Sequence, residues 1–455
     1  MSQQRPGTLD PLYGQGGTAP IPATPCFDPQ VSTLQVYPAT AGSDGSIACC
    51  GYDPDDVDGT RPLFTRLLPD GRWDAATGHV PPPDMGEPHP VENLHYFEAM
   101  LGFGEGERAS YLAVSRPYHF FDNGDIALHV AVARLTARFE PWPGFGDNGI
   151  ALPAPVAPPS TVRCGPPPGI AALRQRTTPR GIDYRAGPKI GYANGALRVI
   201  FSGAYYAADG QQTEHTYLTL LDPDSGGPLP GLGPDARQSL WALPTLGGTA
   251  VTPYRAAFFS DGSFVLLGQA GTRFYLLRCD ARGLLDPAFA GGLGYRELEP
   301  RGGGFGLAAA EDGRVWVSSI GPLSTTRFAT LVYGFTATGE PDPGFNGGEA
   351  LVLQAAVGNL RLDQLQLDAQ QRLVLAGARI FTGGDDPYAY QRLRVVRLLP
   401  NGEVDNTFGD QGFFPENDYL AGANDLYVDG DSIRILSLLP FGRGAFYEVV
   451  AKLQV

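Results

Sequence analysis

The chain has 455 residues, an ordinary hydrophobic fraction of 43%, and a turn-rich 61 Gly and 42 Pro. Its formal net charge of −15 repels phosphate backbones and anionic headgroups, which argues against nucleic acid as the main partner and against an anionic membrane surface. No stretch approaches the ~18 apolar residues of a membrane span, and Met1 to Pro11 lacks the apolar core of a secretory signal, so a cytoplasmic monomer is expected.

In chain order, the first recognisable piece is a loop, Gly7-Thr-Leu-Asp10-Pro-Leu-Tyr13-Gly14, with no strand unit before it. Asp44-Gly45 then heads an apolar run, followed by a strand ending Arg66-Leu67 and a loop, Gly71-Arg-Trp-Asp74. The same order recurs from Asn123-Gly124, with Arg134-Leu135 and a loop from Ala137 to Gly149. It recurs again from Asn194-Gly195, whose loop near Gly227-Pro-Leu-Pro230 is nearly erased. Asp261-Gly262 leads to Arg278 and Gly283-Leu-Leu-Asp286-Pro-Ala-Phe289, and Asp312-Gly313 leads to Gly339-Glu-Pro-Asp342-Pro-Gly-Phe345. A sixth unit replaces the turn by Gln370-Gln371 and continues to Arg397-Leu398 and Gly402-Glu-Val-Asp405-Asn-Thr-Phe408. Asp429-Gly430 heads the seventh, which ends on the strand Tyr447-Glu-Val-Val-Ala-Lys452-Leu453 with no loop after it.

The unpaired loop at one end complements the loopless strand at the other. Loop spacings are 64 (Gly7 to Gly71), 56 (Gly283 to Gly339) and 63 (Gly339 to Gly402), and the wrap-around from Gly402 through Val455 to Gly7 is 60, or 53 plus 7. A ring fits this and an open solenoid does not. The runs Ser263-Phe-Val-Leu-Leu-Gly268 and Arg372-Leu-Val-Leu-Ala-Gly377 are apolar on both faces, as sheets packed between neighbouring sheets must be. The expectation is all-β: a single domain over 1–455, a seven-bladed β-propeller in which residues 7–22 supply the N-terminal strand that completes the last blade. Such closure removes exposed sheet edges. Two stretches, 81–121 and 153–189, read as insertions.

The loop residues read as scaffold. The Asp can accept backbone N–H bonds two residues on, and the Phe can bury against the next blade. Arg66, Arg278 and Arg397 each precede the loop carboxylate (Asp74, Asp286, Asp405) by eight residues, and Lys452 would meet Asp10 across the closure. Arg134 precedes Glu140, the third unit has Thr219 and Pro230 instead, and the fifth has Gly334 with Asp342. An ion pair repeated inside most blades is expected.

This loop, placed after an Arg-Leu strand and a D-G-initiated apolar strand, resembles the bacterial delta-60 repeat β-propeller family over essentially the whole chain. The resemblance implies a seven-bladed propeller. It implies no activity, because the family's repeat residues are scaffold and no shared catalytic set accompanies them.

No P-loop, G-x-S-x-G or H-E-x-x-H occurs, and Gly304-Phe-Gly306 precedes a D-G turn and a strand rather than the helix a dinucleotide site needs. Asp53, Asp55, Asp56 and Asp58 resemble a calcium loop, but Val57 and Phe64 stand where ligands belong. His89, His95 and His119 match no metal-ligand spacing, so neither metal nor cofactor is expected. The five cysteines, Cys26, Cys49, Cys50, Cys164 and Cys279, are odd in number and read as reduced, buried thiols. Adjacent Cys49 and Cys50 should point to opposite faces of a strand. The leading functional expectation is a non-enzymatic protein-binding propeller using the long loops of blades two and three, with Tyr96, Phe97, Arg116, Tyr118 and His119 as contact candidates. The alternatives are a carbohydrate-binding propeller and an enzyme with a site, metal-assisted or not, in the central channel.

Overall fold

The computed structural model describes residues 6–21, 35–52, 62–81, 83, 91–92, 97–105, 109–120, 126–153, 187–206, 212–298, 305–325, 327–381, 391–415, 420–429, 432–441 and 445–454. Helix among them is confined to two short 3-10 turns, Ala290–Gly292 and Asn346–Gly348. The rest is a seven-bladed β-propeller.

Blade one holds Gln35–Ala41, Ile47–Tyr52 and Pro62–Leu67, with Val80 bridging to Phe64 outside them. Blade two holds Phe97–Phe103, Ser110–Ser115, Ala131–Thr136 and Ile150–Ala151, and blade three Lys189–Ala193, Ala196–Tyr206, Gln212–Leu221 and Leu240–Ala242. Blade four is Thr252–Phe258, Phe264–Ala270, Arg273–Cys279 and Tyr295–Leu298; blade five is Gly306–Ala309, Val315–Pro322, Phe328–Phe335 and Leu351–Leu353. Blade six is Asn359–Leu367, Leu373–Ile380 and Gln391–Leu398, with Phe413 bridging to Val396. Blade seven is Ala423–Asp429, Ser432–Phe441 and Ala445–Gln454, and Thr18–Pro20 lies antiparallel outside it, Thr18 opposite Ala451 and Pro20 opposite Val449.

Why the strands are apolar on both faces is visible in the core. It is divided into seven hydrophobic clusters, each filled from two neighbouring blades. The first strands of the blades touch in a closed cycle from blade one round to blade seven. Cys49 faces the cluster shared with blade seven, and Cys50 the cluster shared with blade two. Cys49, Cys50 and Cys279 are buried free thiols; Cys26 and Cys164 lie outside the described residues.

The loops form a relay around one end of the ring. The Asp of each well-preserved loop accepts the backbone N–H two residues on: Leu12 to Asp10 at 3.0 Å, Ala288 to Asp286 at 2.9 Å, Gly344 to Asp342 at 2.9 Å and Thr407 to Asp405 at 3.0 Å. Phe145, Phe289, Phe345, Phe408 and Tyr13 are buried. The residue after each donates to the residue before the next loop's Gly: Ala290 to Thr338 (2.7 Å), Asn346 to Asn401 (2.9 Å), Gly409 to Pro6 (2.6 Å), Gly14 to Asp70 (2.7 Å) and Gly146 to Ser225 (2.8 Å).

The carboxylate pairs are in contact: Arg66 Nε to Asp74 at 3.0 Å, Arg278 to Asp286 at 3.4 Å, Arg397 to Asp405 at 2.8 Å and Lys452 to Asp10 at 3.1 Å. In blade two the expected pairing of Arg134 with Glu140 needs correcting. Trp142 occupies the position eight residues on, its N–H bonding the Arg134 carbonyl as the Asp N–H does elsewhere, and the guanidinium lies 4.0 Å from the Trp142 ring centre. A cation–π contact has replaced the ion pair. Trp142→Leu is therefore expected to lower the urea midpoint by the equivalent of about 1–2 kcal/mol, while Glu140→Ala, at an exposed site, leaves it unchanged. In blade five Gly334 replaces the Arg because the Phe345 ring fills its place: a Cβ there would stand 2.8 Å from Phe345.

The second unit's turn is also corrected. Asn123-Gly124 falls between Tyr118–Phe120 and Ile126–Leu128, two extra strands that join the sheet of blade three, not between the first two strands of blade two. That blade's own inner turn follows Phe103. The stretch 81–121 thus contains two regular blade strands as well as added ones, and Val91–Glu92 pairs with the added strand Tyr118–Phe120. Residues 154–186 of the second insertion lie outside the described residues.

Candidate functional site

Successive strands of a blade run antiparallel. The first-to-second turn and the third-to-fourth loop of every blade therefore share one end of the ring. The added strands Tyr118–Phe120 and Ile126–Leu128 lie between the second and third strands of blade two, on the other end. A cleft of about 700 Å³ lies on the relay end, where blades one, two and three meet.

Each wall has a sequence reason. The inner strand of blade two ends Leu101-Gly102-Phe103-Gly104-Glu105. Gly102 is required because blade one crosses it closely: a Cβ would stand 2.1 Å from the Ala41 carbonyl oxygen, and its N–H donates to Thr40 Oγ1 at 2.9 Å. This approach carries Phe103 and Glu105 out over the ring. Tyr192, next to the Asn194-Gly195 turn of blade three, is 50% exposed and meets Phe103 edge-on, ring centres 5.0 Å apart. Ser43 of blade one and Pro223 and Asp224 of the blade-three loop complete the rim.

Arg134 lies in the cleft wall and is 1% exposed. Its guanidinium sits 5.0 Å from the Phe103 ring centre as well as over Trp142. It donates to the Pro223 carbonyl, to Asp224 at 3.2 Å and to Ser110 Oγ at 3.3 Å. Asp224 keeps 75% of its side chain exposed while making this contact. The cleft thus combines a half-exposed aromatic ring and two exposed carboxylates. That set can stack on a sugar ring and accept hydrogen bonds from its hydroxyls.

The central channel is tied by its own side chains. Arg255 of blade four reaches past blade five and donates to Gln364 of blade six at 3.3 Å. Gln364 donates to the Asn424 carbonyl at 3.1 Å, and Gln366 both donates to Leu426 and accepts from Val428. Burial raises the Asp425 carboxyl above its ordinary range, against the Tyr427 hydroxyl, which donates to it at 2.7 Å, and the Leu426 N–H. No group of three or more His, Cys, Asp or Glu side chains among the described residues is arranged to hold a metal. Burial also lowers the pKa of His215.

The sequence-chosen contact residues do not form one surface. Phe97 is 2% exposed and packs on Phe64, ring centres 5.1 Å apart, so it belongs to the core between blades one and two. Arg116 grips the largely buried Glu98 through Nε at 2.9 and 3.1 Å and through Nη2 at 2.6 Å. Tyr118 and His119 form an added strand paired with Ile126–Leu128. Tyr96, His89, His95 and the Asp53–Asp58 run lie outside the described residues. Reading Asn123-Gly124 as blade two's inner turn hides Phe103 and Glu105, whereas Tyr192 sits beside the correctly placed Asn194-Gly195 turn and has no sequence signal that sets it apart. The usable signal was the Gly-Phe-Gly-Glu run at 102–105, which ends an apolar strand without the D-G of its siblings.

No family model and no curated protein sequence matches the chain. Among solved structures it is similar in fold to the sialidase NanB of Streptococcus pneumoniae, at 10% identity, with 94% of this chain and 69% of that one covered and a TM-score of 0.38. It is similar also to an ulvan lyase, a polysaccharide lyase, at 14% identity over 77% of this chain and 79% of that one, TM-score 0.41. A third is a putative exo-β-1,3-galactanase of Bifidobacterium bifidum, at 10% identity, 87% and 98% covered, TM-score 0.31. No helix among the described residues is long and apolar enough to cross a membrane.

Proposed function

We propose that the protein is a carbohydrate-binding propeller whose ligand sits in the cleft between blades one, two and three. The observation that carries this is the half-exposed ring of Tyr192 beside Phe103, set with the exposed carboxylates of Glu105 and Asp224 in one cleft. Sugar recognition needs that combination of an apolar ring platform and hydrogen-bond acceptors. The cleft is built from features that do not repeat around the ring. The repeat, which we assign to the delta-60 family on its loops, supplies the frame.

The protein-contact reading has less support, because Phe97 is in the core and Arg116 is committed to Glu98. A glycan array followed by titration calorimetry tests the proposal. Tyr192→Ala is expected to weaken the best array ligand about tenfold, roughly 1.4 kcal/mol, with the thermal midpoint unchanged because the side chain is half exposed. A blank array, or Tyr192→Ala binding like the parent, would overturn it.

A further inference from the structure

We propose that the cleft selects a glycan carrying a free, protonated amino group, a de-N-acetylated 2-amino-2-deoxy sugar, over neutral or acidic ones; this rests on the carbohydrate reading. The argument is one of charge. Glu105 and Asp224 both line the cleft, and both are exposed. The one basic group in that lining is Arg134, and its charge is already spent. It is 1% exposed, lies between the Phe103 and Trp142 rings, and is bonded to the Pro223 carbonyl, Asp224 and Ser110.

The described lining holds two carboxylates and the Arg134 guanidinium, so a uronate, sialate or sulfate entering here would meet a net charge of −1 and, among the described residues of the lining, no cation but one already bonded to Asp224 and Pro223. An ammonium would meet the reverse. Asp224 binds Arg134 through Oδ1 and remains open to solvent, so a second partner can be accepted. Cations also favour aromatic rings, and the Tyr192 ring is half exposed in the cleft. The chain's net charge of −15 draws cations toward the molecule as a whole. An N-acetyl group cancels the sugar's charge and forfeits all of these terms. An isolated acidic patch would bind any cation. The aromatic walls confine the ammonium to a ligand that also offers a ring to stack.

The test is calorimetric titration of the full chain with four tetrasaccharides: the glucosamine tetramer, its fully N-acetylated form, cellotetraose and tetragalacturonate. The glucosamine tetramer is expected to bind at least tenfold tighter than the N-acetylated one. The gap should close in the Glu105→Gln, Asp224→Asn double variant, whose fold is checked by circular dichroism, and Tyr192→Ala should weaken the glucosamine tetramer too. Equal affinity for the amino and neutral tetramers, or tightest binding of tetragalacturonate, overturns this inference and leaves the carbohydrate proposal standing. Glucosamine binding that ignores both variants overturns it as well, since the charge responsible would lie elsewhere. Binding of none of the four, together with a blank array, removes both readings.

Discussion

Arg397→Ala is expected to cost about 3–5 kcal/mol of stability. Arg397 is 1% exposed and holds Asp405 at 2.8 Å, and the Asp405 carboxylate is itself nearly buried. Removing the cation strands that carboxylate, with Arg372 at 3.6 Å as its nearest remaining cation. The penalty belongs to the unpaired charge rather than to the pair. Replacing both partners by apolar groups, Arg397→Met with Asp405→Leu, should therefore cost less than Arg397→Ala alone. Acid exposes the same coupling. Burial alone would push the Asp405 carboxyl up, but hydrogen bonds from Thr407 and from Arg397 overcome it and hold the group below the usual carboxylate range. Asp74 behaves likewise through Arg66 and Thr77. A carboxyl held low contributes stability at neutral pH and loses it as the pH falls through the depressed value. Urea midpoints should start to fall as the pH drops below about 4, the ordinary carboxylate value, and keep falling through the depressed native value, more shallowly in Asp405→Asn. A parent and a variant with parallel pH profiles would refute this account.

What was legible in the sequence was whatever repeats. Six of the seven turns, the apolar runs after them and most of the loop Asp and Phe positions could be aligned against one another, and each had a backbone job that its residue type revealed. Even Gln370-Gln371 was readable, and Gln371 does take a positive φ of 60° in place of the missing Gly. Blade two defeated that comparison. An inserted hairpin brought its own Asn-Gly and imitated the repeat, while the true inner turn carried Gly-Phe-Gly-Glu. Phe139, with φ 62°, occupies a loop position that Gly holds elsewhere, and Trp142 stands in for the Asp. The cleft depends on these departures, so a reading tuned to the repeat passed over it. Phe97 illustrates a second limit. An aromatic residue in a long variable stretch reads as surface until the strand register turns it inward.

Phe408→Ala is expected to cost about 3–5 kcal/mol, and the relay explains why so much depends on one ring. Phe408 is fully buried between blades six and seven and lies against Gly7. The loop beginning at Gly7 is sequence-distant from it, and they are held together by this ring and by Gly409 N–H to the Pro6 carbonyl at 2.6 Å. Gly7 cannot give way. Its φ is +77°, and a Cβ there would stand 2.5 Å from Gly409 N and 2.9 Å from the Phe408 ring. Gly7→Ala thus adds overpacking, about 1–3 kcal/mol, to the roughly 1–2 kcal/mol of left-handed strain. Gly16, at φ +63° with nothing near its missing Cβ, provides the internal control: Gly16→Ala should carry the strain alone. Urea midpoints ranked with Phe408→Ala and Gly7→Ala lowest and Gly16→Ala nearer the parent would place the energetic joint of the ring where the Gly7 loop meets Phe408. Gly7→Ala and Gly16→Ala falling together would mean that the close approach contributes nothing and that backbone conformation alone sets the cost.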